Sequence, residues 1–354
     1  MTDTLDIKIS KTASSRLDQV DFNDLGFGKI FSDHMFVADY ADGQWKNFEI
    51  IPYGDLSFSP AISVLHYGQA FFEGLKAYKH ADGKVTLFRP YKNAERFNRS
   101  AERLSMPVLP EDIFVQSIAA LVDIDSDWIP AESGRSLYIR PFMFATDPYL
   151  GVRPALTYKY MVLTGPAGAY YSEDLKVKVE TKYSRAGDGG FGFAKAAGNY
   201  AGSLLPAKEA VDQGFDQLIW TDSRDHAYIE ELGTANIMFI INDKLVTPST
   251  RDTILKGVTR DTIIILAKEF GIEVEERRVS VAEIIVGLQN GSVTEAFGVG
   301  TAATITKIAS ISFEGKQYEL PDPGNAAFAN RTLKALNDIR YGLAPDSYGW
   351  NYTV

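Results

Sequence analysis

The chain has 354 residues and a formal net charge of −10, with 45% apolar and 23% charged residues and no cysteine. This is ordinary composition for a soluble globular protein long enough to hold two domains, each with its own core. The acidity disfavours nucleic acid and anionic membrane surfaces as partners, and the lack of cysteine excludes disulfides, thiolate metal sites and cysteine nucleophiles. With only four scattered histidines, no dedicated transition-metal site is expected. The N-terminal stretch has no apolar h-region, and no uncharged run approaches membrane-spanning length, so a cytoplasmic protein is expected.

In chain order, 27–40 and 45–51 read as strands split by the turn Ala41-Asp42-Gly43. The stretch L-H-Y-G-Q-A-F-F-E-G-L-K-A-Y at 65–78 follows, then the turn Asp82-Gly83 and a strand at 85–88. Asn93 is a candidate cap for a helix running to Leu104, with Ala94, Phe97, Ala101 and Leu104 on its buried face. A second amphipathic helix covers 111–122, and apolar strands cover 136–144 and 156–163. The chain changes character around 165–184, where an inter-domain connection is placed. Beyond it come a helix at 203–211 and a strand at 217–220. A hairpin follows, pairing 236–241 with 244–246 through Asn242-Asp243. Next are a helix at 260–270 stopped by Gly271 and a capping box of Ser280 with Glu283. A helix at 326–340 and an aromatic tail close the chain. The pattern predicts a small α+β domain over 1–172, a connection at 173–185 and a larger mixed α/β domain over 186–354.

The stretch 187–203 reads G-D-G-G-F-G-F-A-K-A-A-G-N-Y-A-G-S. So many glycines imply sharp turns or a close backbone approach. Lys195, set among small uncharged neighbours, can lose hydration and act as the nucleophilic amine that Schiff-base chemistry requires. The competing reading is a glycine-rich surface loop with a solvated lysine. Gly257-Val258-Thr259 precedes a helix and forms a candidate anion cup, with Thr259 as a plain N-cap the alternative. Phe297-Gly298-Val299-Gly300-Thr301-Ala302 is a second candidate cup, with a bulge or tight turn the alternative. Glu230 and Glu231 lie between apolar strand segments, where one buried carboxylate would keep a pyridinium protonated while alternation leaves the other solvated. Arg96, Arg99 and Arg103 recur at helical spacing. They read as a solvated face or as a source of one phosphate clamp. Together, the lysine, carboxylate, anion cups and arginine match the requirements of a pyridoxal-phosphate site.

In these motifs the chain resembles the branched-chain-amino-acid aminotransferases, of the pyridoxal-phosphate fold called type IV. The resemblance runs from F-G-K-I-F-S-D-H-M at 27–35 to the C-terminal helix. It includes L-H-Y-G-Q-A-F-F-E-G-L-K at 65–76, L-Y-I-R-P-F at 137–142 and A-K-A-A-G-N-Y at 194–200. It continues through E-E-L-G-T-A-N at 230–236, L-K-G-V-T-R at 255–260 and F-G-V-G-T-A at 297–302. The resemblance implies that Lys195 forms the Schiff base with pyridoxal 5′-phosphate and moves the substrate α-proton. It implies that Glu231 meets the pyridine nitrogen and Tyr200 the phenolic oxygen, and that Leu255 packs on the ring. Arg96, Gly257-Val258-Thr259 and Thr301 would hold the phosphate, Val258 and Thr259 largely through backbone N–H groups. Phe27, Tyr67, Phe72, Tyr138, Tyr170, Thr234 and Ala302 match substrate-pocket positions, and Arg140 matches the residue associated with glutamate's side-chain carboxylate. Gly151-Val152 falls in a loop that family members lend to the neighbouring subunit, which implies a homodimer. Lys256 stands where many members have proline, Val299 where some have a small polar residue, and Ala303–Thr306 carries no C-x-x-C pair. The implied reaction moves an amino group between leucine, isoleucine or valine and 2-oxoglutarate. The rivals are a D-amino-acid or (R)-amine transaminase or an aminodeoxychorismate lyase on the same fold, and a catalytically dead cofactor-binding or interaction protein.

Overall fold

The computed structural model describes residues 4–132, 134–168, 174–322 and 324–354. It divides into two compact units, one of Met1–Tyr170, Ala194–Ala197 and Asn337–Val354, the other of Tyr171–Phe193 and Gly198–Leu336. No helix among the described residues is long and apolar enough to cross a membrane.

The first unit is built on a nine-stranded sheet. In chain order its elements are β1 (Lys8–Ile9), β2 (His34–Ala41), β3 (Gln44–Pro52), α1 (Ser63–Tyr67), β4 (Ala70–Phe72), β5 (Leu75–Lys79) and β6 (Val85–Phe88). Then come α2 (Pro90–Arg103), α3 (Glu111–Ile124), β7 (Ser136–Ala145) and β8 (Tyr158–Ala167). The strand order is β1-β3-β2-β8-β7-β5-β6, continued by the C-terminal strand Asn351–Thr353, with β4 paired to β7. The β2–β3 hairpin turns at Asp42 and Gly43, both at positive φ, as the D-G dipeptide predicts. The expected strand at 27–40 begins only at His34, because Gly26 and Gly28 take left-handed backbone angles that break an extended run. The long 65–78 motif is split the same way: α1 ends at Gly68, φ 63°, before β4 and β5 begin.

Helix α2 starts earlier than Asn93, at Pro90, whose ring presets the first helical turn. Asn93 therefore lies inside the helix and caps nothing. Its amide is buried and bonded elsewhere. The face carrying Ala94, Phe97 and Ala101 is buried as predicted. Phe97 packs its ring against Phe71 (centroids 4.5 Å apart), Phe114 (5.2 Å) and Tyr160 (5.5 Å), joining α2, α3 and the sheet in one core.

The second unit contains β9 (Leu175–Val179), α4 (Ala197–Ala201, begun in the first unit), α5 (Leu204–Asp212), β10 (Gln217–Thr221), β11 (Tyr228–Leu232), β12 (Ala235–Ile241) and β13 (Lys244–Pro248). These are followed by α6 (Val258–Glu269), β14 (Val274–Arg277), β15 (Val279–Ser280), α7 (Val281–Asn290), β16 (Val293–Gly300), β17 (Thr304–Phe313), β18 (Lys316–Glu319) and α8 (Phe328–Arg340). The ten-stranded sheet mixes parallel and antiparallel pairs in the order β14-β13-β12-β16-β17-β9-β10-β11-β15, with β18 paired to β17. A further β11–β12 pairing closes a circuit through β12, β16, β17, β9, β10 and β11. From Ile237 to Ile241 strand β12 is an unbroken apolar run, because both its faces are covered there. Ile237, Phe239 and Ile241 join Ile284 and Ile285 of α7, while Met238 and Ile240 join Ile263 and Ile264 of α6.

Two helix starts in this unit are satisfied by side chains. Ser280 Oγ accepts the Glu283 N–H at 3.0 Å, the forward half of the predicted capping box, while the Glu283 carboxylate turns to Arg277. Glu295, buried on β16, accepts the N–H groups of Phe328 (2.6 Å) and Ala329 (3.0 Å) at the start of α8. A charged acceptor facing orphan donors and the positive helix end is the stronger device. Ser280→Ala is therefore expected to cost about 1 kcal/mol and Glu295→Gln about 2 kcal/mol. Chemical denaturation of the two variants beside the parent protein checks both the sizes and their order.

Candidate functional site

In the first unit, Lys195 sits on a four-residue ledge, Ala194–Ala197. The ledge is docked by its backbone. Lys195 N–H donates to Ser100 Oγ of α2 (2.9 Å), Phe72 N–H donates to the Lys195 carbonyl (3.2 Å), and Ala196 bridges Phe71 of β4. Small side chains at 194, 196 and 197 permit this approach, and Ala194 and Ala196 are buried. The lysine side chain is half-buried, its Nζ 4.9 Å from the Phe72 ring centroid.

The same ring carries a second cation. Arg140, on β7, lies 4.5 Å over Phe72, and both its Nε (3.3 Å) and Nη2 (3.1 Å) donate to the Tyr138 hydroxyl. Phe27 packs edge-on against Tyr138, centroids 4.8 Å apart. Gly74 makes room for that hydroxyl, since a Cβ there would collide with it and stand 3.2 Å from Tyr138 Cζ. Phe27, Phe72, Tyr138, Arg140 and Lys195 are thus joined by a chain of ring contacts and hydrogen bonds. Tyr67 is exposed and donates its hydroxyl to the Leu150 carbonyl, in the loop that carries Val152, itself 88% exposed. Tyr170 lies outside the described residues.

Of the three arginines at helical spacing, only Arg96 points inward. It is 4% exposed, whereas Arg99 is half-exposed beside Glu95 and Arg103 is exposed. Arg96 forks onto Glu73, Nε to Oε1 at 2.6 Å and Nη2 to Oε2 at 2.8 Å. Glu73 was not singled out from the sequence, although it stands within the F-F-E-G-L-K motif between an aromatic and a glycine. A buried arginine needs a buried anion, and that demand was the available signal.

In the second unit the two adjacent glutamates of β11 face opposite ways, as alternation requires, but neither is a solvated strand end. Glu231 Oε1 accepts Leu255 N–H (2.7 Å) and Asn236 Nδ2 (3.3 Å), and Oε2 lies 3.0 Å from Arg185 Nε. Both oxygens are thereby held in place. Asn236 also donates to the Leu255 carbonyl (2.8 Å), so one amide aligns the carboxylate and the 255–257 backbone. Glu230 accepts from Thr253 Oγ1 at 2.5 Å on the other side of the strand, and burial pushes its carboxyl pKa up. It lines a polar pocket with Asp188, Asp222, Arg251 and Arg278.

Arg185, which also escaped the sequence reading, donates to the carbonyls of Gly192 (3.2 Å) and Thr253. It ties the glycine run to the strand that bears Glu231. A Cβ at Gly192 would stand 2.7 Å from the Thr253 carbonyl oxygen, so glycine there serves a close backbone approach.

Gly257 is the N-cap of α6, and no side chain caps this helix start. A Cβ at Gly257 would strike the Asn236 side chain. The helix begins at Val258, two residues earlier than expected, and Thr259 is buried in its first turn rather than acting as its cap. At the second candidate cup, β16 runs unbroken to Gly300 and turns through 301–303 into β17 with Gly300 paired to Thr304. This is a tight turn, not a bulge. Gly300 lies against Ala235 (3.5 Å to its Cβ position), so the Thr301-Ala302 turn neighbours the Gly233-Thr234 turn of β11–β12, where Thr234 is exposed. Tyr200 is half-buried in α4.

Residues 70–311 match the family model of the class IV amino-transferases. The chain is 43% identical over 342 residues to branched-chain-amino-acid transaminase 1 of Bacillus subtilis (strain 168), covering 95% of this chain and 96% of that one. Its fold is similar to the crystal structure of Escherichia coli branched-chain amino acid aminotransferase (TM-score 0.74, 28% identity, 90% of this chain and 98% of that one). It is also similar to the branched-chain amino acid aminotransferase from Thermobaculum terrenum in its PLP-form, the holo-form (TM-score 0.73, 25% identity, 91% of this chain and 98% of that one). On the family model, the full-length identity and the shared mixed α/β fold of type IV, the chain belongs to the class IV aminotransferases and, within them, to the branched-chain-amino-acid aminotransferase family.

Proposed function

We propose that the protein reversibly transfers the amino group between L-leucine, L-isoleucine or L-valine and 2-oxoglutarate, using pyridoxal 5′-phosphate held on Lys195 Nζ. The observation that carries this reading is the docked ledge of small residues that presents Lys195 beside the Phe72–Arg140–Tyr138 cluster. The residues fit the cofactor. Glu231 is a buried carboxylate with both oxygens oriented, the requirement for a partner to a ring N–H. The start of α6, uncapped by any side chain and opened by Gly257, suits a phosphate. Bound there, the cofactor would supply the electron sink for the bond broken at the substrate α-carbon.

In this reading Lys195 Nζ takes the α-proton and returns it, so one amine serves as base and acid. Glu231 holds the ring nitrogen and Leu255 packs on the ring, while Tyr200 hydrogen-bonds the phenolic oxygen. Arg96, Val258, Thr259 and Thr301 hold the phosphate, with Gly257 leaving the backbone room. Phe27, Tyr67, Phe72, Tyr138, Thr234 and Ala302 line the substrate space. The exposed loop with Val152 reaches the neighbouring site of a cytoplasmic homodimer. The division into a small domain over 1–172 and a cofactor-binding domain over 186–354 belongs to the same proposal.

One pocket must take both leucine and glutamate. Aromatic walls reward an aliphatic side chain by roughly 25 cal/mol per Å² buried. A carboxylate needs a paired charge instead. Arg140 supplies it from a ring face without filling the apolar space.

Incubation with 15N-labelled L-leucine and 2-oxoglutarate is expected to give 15N-glutamate, and Lys195→Ala to give none at catalytic rates. Transfer from D-alanine or an (R)-amine in its place would move the protein to the rival transaminases. Arg140→Ala is expected to lower kcat/KM for glutamate about 10- to 100-fold, the worth of a charged hydrogen bond, and for leucine far less. Equal losses, measured on the separate half-reactions, would refute the assignment of Arg140.

A further inference from the structure

Glu73 has no solvent exposure. An ionised carboxylate there is tolerated only with close partners, and it has four donors: Arg96 Nε to Oε1, and Arg96 Nη2, Asn93 Nδ2 (2.8 Å) and the Gly74 N–H (3.1 Å) to Oε2. Burial pushes its pKa up, but Arg96, with help from Lys195 and Asn93, outweighs this and holds it below the ordinary glutamate value. The geometry is tightly coupled. Ser100 Oγ, one turn beyond Arg96 on α2, donates to the Arg96 carbonyl (3.1 Å) and accepts the Lys195 N–H, while Glu73 N–H donates to the Pro141 carbonyl of β7 (2.7 Å). The charged groups facing this node are Arg96 from α2, Lys195 from the ledge, and Arg140 from β7 across the Phe72 ring.

We propose that Glu73 is a positioning residue of the aminotransferase site, whose carboxylate holds the Arg96 guanidinium in the orientation that meets the cofactor phosphate. This rests on the reading above, in which Arg96 takes the phosphate and Lys195 carries the cofactor. Without Glu73 the guanidinium keeps its charge but loses the fork that orients it.

The test uses the full-length protein stripped of cofactor and reconstituted, as parent, Glu73→Gln and Glu73→Asp. Binding of pyridoxal 5′-phosphate and of unphosphorylated pyridoxal is followed by quenching of tryptophan fluorescence. Glu73→Gln is expected to lose about tenfold of the preference for the phosphorylated form, one bidentate partner's worth. Glu73→Asp keeps the charge but draws it back by one methylene, and it should lose part of the phosphate preference. A purely structural role would weaken both cofactor forms equally, and that result overturns the proposal. If Glu73→Gln does not fold, an unchanged phosphate preference in Glu73→Asp overturns it instead. A parent protein that binds neither cofactor form would refute the functional reading, a separate failure.

Discussion

The constraint on which the first unit's chemistry depends is the docking of four small residues, Ala194–Ala197, against Phe71, Phe72 and Ser100. A lysine on an ordinary loop spends its conformational freedom in water. Here the backbone on both sides of the side chain is tied to β4 and α2, so the amine can vary only through its own rotamers. The reach of that amine then falls on Phe72, a ring shared with Arg140. The aromatic surface is apolar enough to strip water from an aliphatic group and polarisable enough to tolerate two cations. Arg140 is additionally anchored by the Tyr138 hydroxyl, whose space exists only because residue 74 is glycine.

The second unit applies the same principle to a carboxylate. Glu231 is fixed at one oxygen by a backbone N–H and an asparagine amide, and at the other by Arg185. The asparagine acts twice, since it also holds the Leu255 carbonyl. A substitution at Asn236 would therefore be felt at the carboxylate and at the 255–257 backbone together. The adjacent Glu230, one residue away but across the strand, has a different partner and an elevated pKa. Two neighbouring carboxylates thus take different partners on the two faces of one strand.

Much of the fold was legible in the sequence because its signals are local. The Asp42-Gly43 and Asn242-Asp243 turns, the Ser280 cap and Gly271 at the end of α6 each need only a few residues to act, and each appears where expected. Errors arose where a longer-range term won. Asn93 reads as a helix cap from its neighbours, but Glu73, twenty positions earlier, claims its amide. The strand expected from Phe27 loses to two left-handed glycines. The pairing of Asn351–Thr353 with β6 joins residues more than 260 positions apart and leaves no trace in periodicity. Among site residues, the motif resemblance named positions that stand out by type. Glu73, Asn93, Ser100, Arg185 and Asn236, whose roles lie in the partners they hold, emerged only when donors and acceptors were matched in space.

The central claim is that Lys195 is the amine that carries the cofactor. Borohydride fixation of the pyridoxal-phosphate-loaded protein, followed by proteolysis and mass mapping of the peptides, tests it directly. A single phosphopyridoxyl group is expected on the peptide containing Lys195, abolished by prior treatment with L-leucine, which would leave the cofactor unattached to the chain. Fixation at another lysine, or none in a protein that has bound the cofactor, would contradict it.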